Sequence, residues 1–139
     1  MIDIIDMRPN GDDLIDLAKI VYDRAKRKLN MIEIGSYQGQ SMEIFASTTL
    51  LDTIICIDPW QCFYDNADPA AYTDMMQVER LFDDRMQFMQ MYFNIIKHKG
   101  TIDTFVESVD FLKYGQNVDF VYIDALHTYD GCKHDIDMC

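Results

Sequence analysis

The run Thr53-Ile54-Ile55-Cys56-Ile57 is apolar along its length and stops at Asp58-Pro59, where proline ends regular pairing. A strand with one wet face would alternate polar and apolar residues, so this run predicts a strand buried on both faces, as in a parallel sheet covered by helices. The flanking chain suits such a sheet. Leu14, Leu17, Ala18, Val21, Tyr22, Ala25 and Leu29 recur at helical spacing behind Asp12 and Asp13, with Lys26, Arg27 and Lys28 at the end where the helix dipole favours cations. Met31 to Ile34 predicts a strand, Gly35-Ser36-Tyr37-Gln38-Gly39 a turn, and Ser41 to Leu50 a helix, which together make half of a βαβ unit.

Residues 61–74, with Asn66 and Pro69, predict a loop. Met75, Val78, Leu81, Phe82, Met89, Tyr92 and Ile96 then lie on one stripe, predicting a long helix from Met75 to Lys99 that ends at Gly100. Ile102 to Val106 is expected to be a strand, Val109 to Tyr114 a short helix closed by Gly115, and Val118 to Ile123 another buried strand running into Asp124. The expected class is α/β: a parallel sheet of about four strands with helices on both faces.

A chain of 139 residues has room for one domain, and no repeat or linker divides it. Its net charge of −12 repels nucleic acid and anionic lipid, so neither is expected as a partner. Met1 to Asp6 carries two acids where a secretory signal needs a basic start, and no apolar run reaches the roughly 18 residues of a membrane span. A soluble cytoplasmic protein is expected. Cys56, Cys62, Cys132 and Cys139 show no C-x-x-C spacing, which predicts reduced thiols without structural zinc.

Ligands of open parallel sheets bind beyond the carboxyl ends of the strands, so the residues at each strand exit are the candidates. At the first exit, Glu33 to Ser41 combines small residues with a helix start, and Gly35 and Gly39 are spaced too closely for the dinucleotide fingerprint. The second delivers Asp58, an acceptor suited to ribose hydroxyls, and Trp60, which either covers a ligand or packs in the core. Glu107 and Ser108 are expected at a third. The fourth brings Asp124, His127 and Tyr129 together, more chemistry than a fold needs. For Asp124, a cap of the next helix is the structural alternative.

These four segments in this order resemble class I S-adenosylmethionine-dependent methyltransferases, in particular the small-molecule O-methyltransferase branch with an I-D-x-x-H-x-Y signature, here Ile123 to Tyr129. The resemblance runs from about residue 28 to the C-terminus and implies a Rossmann-like fold binding S-adenosylmethionine. Glu33, Gly35, Ser36, Tyr37, Gly39 and Ser41 correspond to the motif around the methionine part of the cofactor. Asp58 corresponds to the ribose-binding acid, within Ile57-Asp58-Pro59-Trp60, and Glu107 and Ser108 to the adenine edge. Asp135 and Ile136 match an acid and apolar pair in the next helix. His127 is expected as the base that deprotonates a small-molecule hydroxyl, with Asp124 orienting either the substrate or His127 and Tyr129 lining the pocket. The Asn-Pro-Pro-Tyr type of motif found in methyltransferases acting on DNA bases is absent from the sequence.

Domains of this family usually carry about three strands more, which implies a chain that stops short of the full fold. A hard cation wants about six oxygen ligands, so no metal site is expected on Asp124. Val118 to Ile123 would then lie at an uncovered sheet edge, from which a homo-oligomer is expected unless the following helix covers that edge. A degenerate domain that binds only cofactor or a protein partner is the alternative function.

Overall fold

The computed structural model describes residues 11–66 and 68–139, so the acidic stretch Met1 to Asp6 lies outside the described residues. The elements in chain order are α1 (Gly11–Ala25), β1 (Leu29–Ile34), α2 (Gln40–Ser47), β2 (Leu51–Asp58), α3 (Met75–Met89), β3 (Asn94–Lys99), α4 (Ile102–Val106), α5 (Val109–Tyr114), β4 (Phe120–Ile123) and α6 (Tyr129–Met138). Short 3₁₀ turns occupy Pro69–Tyr72 and Gly115–Asn117. All four strands are parallel, in the order β3-β2-β1-β4. This is the α/β class expected, a Rossmann-like parallel sheet of four strands among the described residues, with helices on both faces.

Three parts of the chain differ from the sequence reading. The stripe from Met75 to Ile96 is not one helix: α3 stops at Met89, and Asn94–Lys99 is β3. Tyr92 and Ile96 happen to continue the helical spacing, but Asn94–Lys99, with its β-prone Ile95-Ile96, pairs with β2, and the Asn94 amide donates to Thr53 Oγ1 at 3.1 Å. Ile102 to Val106, expected as a strand, is α4, because Thr101 and Thr104 form a reciprocal capping box and Ile102 and Phe105 turn inward. Leu29 likewise begins β1 rather than ending α1, since Lys26 turns left-handed and breaks the helix.

Alternate side chains of the central strands feed two cores. Met31, Ile54 and Cys56 pack with Phe45 and Phe82 beneath α1, α2 and α3, while Ile32, Ile34, Ile55 and Ile57 pack with Ile102 and Phe105 on the opposite face. Among the described residues β4 is an edge strand, its residues half-buried, and Asp119 at its start pairs bidentately with Arg27. The chain runs outward from β1 through β2 to β3, then crosses back to place β4 on the other side of β1. The direction of winding therefore reverses between β1 and β4, where such sheets open a crevice.

Candidate active site

A cavity of about 320 Å³ lies at that reversal, lined from the exits of β1, β2 and β4 and from the segment between β2 and α3. Its first wall is the turn after β1. Gly35 and Gly39 both have positive φ, as does Tyr37, and the turn is held by side chains from three other places. The Tyr37 N–H donates to Asp58 Oδ2 at 2.9 Å, and the Trp60 indole donates to the Tyr37 carbonyl at 2.8 Å. Arg85 of α3, 5% exposed, donates to the Gln38 carbonyl at 2.7 Å and has its Nε 3.3 Å from Glu43 of α2.

Gly35 and Gly39 are needed for reasons the sequence did not show. A Cβ on Gly35 would stand 2.2 Å from the Asp124 carbonyl oxygen, so its absence lets the exits of β1 and β4 meet. A Cβ on Gly39 would meet Phe82 at 3.0 Å, and Gly39 does not line the cavity. Ser36, Tyr37 and Ser41 do line it. Glu33 is fully buried, faces the thiol of Cys56 and lies behind the cavity wall rather than in it. Burial pushes that thiol well above its ordinary range, helped by the Glu33 charge, which leaves it inert as a nucleophile.

Asp58 sits at the exit of β2 with Oδ1 accepting the Trp60 N–H at 2.7 Å and Oδ2 accepting that of Tyr37. Burial pushes its carboxyl above the usual range, and these two backbone donors pull it partly back. Each oxygen keeps a lone pair for a further donor, which suits a pair of neighbouring hydroxyls. Trp60 packs against Phe82, with ring centroids 4.8 Å apart, and is a brace of the turn rather than a cover for the cavity.

Glu107 and Ser108 are not at a strand exit. They connect α4 to α5, where Glu107 is exposed and the Ser108 hydroxyl caps α5 by accepting from Phe111 N–H at 3.3 Å. Neither lines the cavity. Tyr129 is 80% exposed and also stands outside it. Asp135 is buried and Ile136 exposed, both on α6.

The second wall is the exit of β4. Asp124 does not cap α6, since Thr128 does so by accepting from Gly131 N–H at 3.1 Å. Its Oδ1 lies 3.4 Å from His127 Nε2. The other ring nitrogen, Nδ1, lies 3.3 Å from Asp65 and 3.3 Å from Asp68. These two acids, with Tyr64 and Gln61, come from the region read as a plain loop and escaped sequence reasoning; Met75, the first residue of α3, joins them in the lining. The available signal was a pair of acids bracketing Ala67 just before Pro69, which reads as turn chemistry as easily as a site. Asp58, Asp65, Asp68 and Asp124 give the described lining an acidic character that suits a cationic sulfonium.

The chain matches a family model described as a methyltransferase domain over residues 32–139, from inside β1 to the end of α6. It belongs to that family. The match shows the class I S-adenosylmethionine-dependent methyltransferase family that the sequence resembled, and the four-stranded parallel sheet agrees with it. A search of curated proteins finds no match. Among the described residues of this methyltransferase domain, no helix is long and apolar enough to cross a membrane.

Proposed function

We propose that this methyltransferase domain binds S-adenosylmethionine against the turn after β1 and Asp58, and methylates a hydroxyl of a small molecule such as a sugar or another metabolite. One observation carries the reading: the ribose-type acceptor Asp58 and the pair Asp124 and His127 line the same cavity at the switch point of the sheet. The residues fit the cofactor. Asp58 would take its ribose hydroxyls, and Gly35, Ser36 and Tyr37 would border its methionine part, where no side chain caps the start of α2. When bound, S-adenosylmethionine supplies a sulfonium methyl group open to in-line attack.

The remaining work falls to the chain's own side chains. His127 removes the acceptor proton as the oxygen attacks, and the imidazolium that forms is stabilised by Asp65, Asp68 and Asp124 around the ring. Asp124 orients the acceptor beside Nε2. The negative lining disfavours phosphorylated or carboxylated acceptors and favours neutral polyols or amino-substituted ones.

Calorimetry with S-adenosylhomocysteine tests the cofactor half. Asp58→Ala removes a charged acceptor and should cost about 1.5 to 3 kcal/mol of binding, roughly tenfold to a hundredfold. Equal affinities for parent and variant, or tighter binding of NAD, would reject the reading. Methyl transfer to a panel of hydroxylated sugars tests the rest: His127→Ala should lower kcat by roughly 10² to 10⁴ with cofactor affinity unchanged. Turnover within about threefold of the parent would make His127 structural.

A further inference from the structure

Position 97 carries a charge where the fold asks for an apolar side chain. Lys97 is the Cα partner of the fully buried Cys56, and it lies two residues from the buried Ile95 on the face of β3 that joins the core beneath α3. Its side chain is 19% exposed, and its Nζ donates to Glu79 Oε1 at 2.7 Å and to Asp83 Oδ1 at 2.6 Å, both on α3. Lys99, more exposed, already reaches Glu79 from the same strand, so a tie between β3 and α3 does not need a second lysine set into the core. Lys97 also stands over the Trp60 ring, its Nζ 4.7 Å from the centroid and so inside the roughly 6 Å reach of cation–π attraction.

Trp60 in turn holds two parts of the first wall. Its backbone N–H donates to Asp58 Oδ1 at 2.7 Å, and its indole N–H donates to the Tyr37 carbonyl at 2.8 Å. Its own φ is +42°, a conformation that persists only where the surroundings over-determine it. We propose that Lys97 is a positioning residue for the cofactor seat, its cation holding the Trp60 ring so that the indole keeps the Tyr37 carbonyl and the main chain keeps Asp58. The proposal rests on the reading of Asp58 and the turn after β1 as that seat, and adds a group that steadies both from outside the cavity, which Lys97 does not line. An apolar residue of similar size often packs as well as a buried ion pair or better. Lys97→Met therefore separates the two roles: the core is kept while the ring loses its cation.

Trp60 is the only tryptophan of the chain, so its indole N–H gives a single NMR signal. Hydrogen exchange of that proton, in the full chain without ligand, is read against the Asp124 amide, which donates to Ile34 on the other side of the crevice. A change in overall stability moves both, whereas a loosened ring moves the first alone. Lys97→Met should speed indole exchange about tenfold relative to that amide and weaken S-adenosylhomocysteine binding by about fivefold to thirtyfold. Lys97→Arg, which keeps the cation, should stay within about threefold of the parent in both, and so should Asp83→Asn, which removes an ion pair on α3 but leaves the cation over the ring. Parent-like indole exchange in Lys97→Met overturns the proposal, and so does parent-like affinity. An Asp83→Asn variant altered as much as Lys97→Met would also overturn it, making Lys97 a tie between β3 and α3 only. If Lys97→Met does not fold, Lys97→Gln, which keeps a donor for the two acids but no charge, answers by the same readouts. A parent that binds no S-adenosylhomocysteine would sink the methyltransferase reading, while the exchange comparison, which needs no ligand, still decides whether Lys97 holds the ring.

Discussion

The two walls of the cavity are held by different physics. The wall after β1 owes its shape to backbone conformation: three residues at positive φ, Gly35, Tyr37 and Gly39, in a turn held by part-buried hydrogen bonds that Asp58 accepts and that Trp60 and Arg85 donate. The wall after β4 owes its shape to charge, with His127 half-exposed among Asp65, Asp68 and Asp124. A wall set by backbone conformation is preorganised and titrates only through Asp58, whose carboxyl burial raises, whereas one made of charged contacts among partly exposed side chains also responds to salt and to whatever enters the cavity. Cofactor binding is expected to follow the first behaviour, and handling of the acceptor proton the second.

The largest effect is expected where the walls touch. Gly35→Val would drive a branched Cβ toward the Asp124 carbonyl oxygen, 2.2 Å away, at a φ of +90°. Neither strand can yield without breaking the β1–β4 pairing, in which the Asp124 N–H donates to the Ile34 carbonyl at 2.8 Å. A loss above about 4 kcal/mol, or failure to fold, is expected in urea unfolding. A loss under about 1 kcal/mol would show that the walls are not joined at this point.

Arg85→Met acts on the first wall only. It leaves Glu43 without its partner and the Gln38 carbonyl without its donor; breaking a well-buried pair costs about 3 to 5 kcal/mol, and Glu43, a quarter exposed, puts the expectation nearer about 2 to 3. The comparison sharpens if S-adenosylhomocysteine affinity falls by tenfold or more while the NMR signals of the His127 ring are unchanged. An unchanged affinity at reduced stability would make Arg85 a core residue with no part in shaping the turn.

The same contrast explains what could be read from the sequence. The first wall was legible because glycine, an acid after a buried strand and a strand-turn-helix order are local signals, and each of Gly35, Ser36, Tyr37, Ser41 and Asp58 lines the cavity. The second wall was legible only at Asp124 and His127, since Asp65 and Asp68 acquire meaning through a contact across about 60 residues that no local pattern encodes. Arg85 was hidden for the same reason: a lone arginine among helix residues looks like a solvated face until α3 is docked. The third strand was misplaced because periodicity cannot separate a helix that ends from one that continues when the following strand keeps the spacing. Glu107 and Ser108 fell with that error, their place having been counted from the wrong strand.

The smallest effect concerns α6, which follows the second wall directly. His134 of α6 has its Nε2 2.9 Å from Oδ1 of Asp103, on α4, and both side chains are about half exposed. The hydrogen bond to Asp103, with its charge, holds His134 above the ordinary histidine range, and the same bond holds Asp103 below the ordinary carboxylate range. The two signs define a window. Because the folded His134 binds its proton more tightly than the unfolded one, its contribution is complete below about pH 6.5 and is lost as pH rises through the raised folded value. Asp103 contributes fully above about pH 4 and loses its contribution as pH falls through the lowered folded value. Docking of α6 should therefore be firmest between about pH 4 and 6.5 and slacken on the alkaline side. The difference in Tm between the parent and His134→Gln, followed across pH, isolates this pair from every other titrating group. It should be small, positive in the window and fade as pH rises through the raised folded value of His134. Parallel curves across the whole range would mean that the pair does not hold α6, and that a wall built on charge does not extend its pH response to the helix behind it.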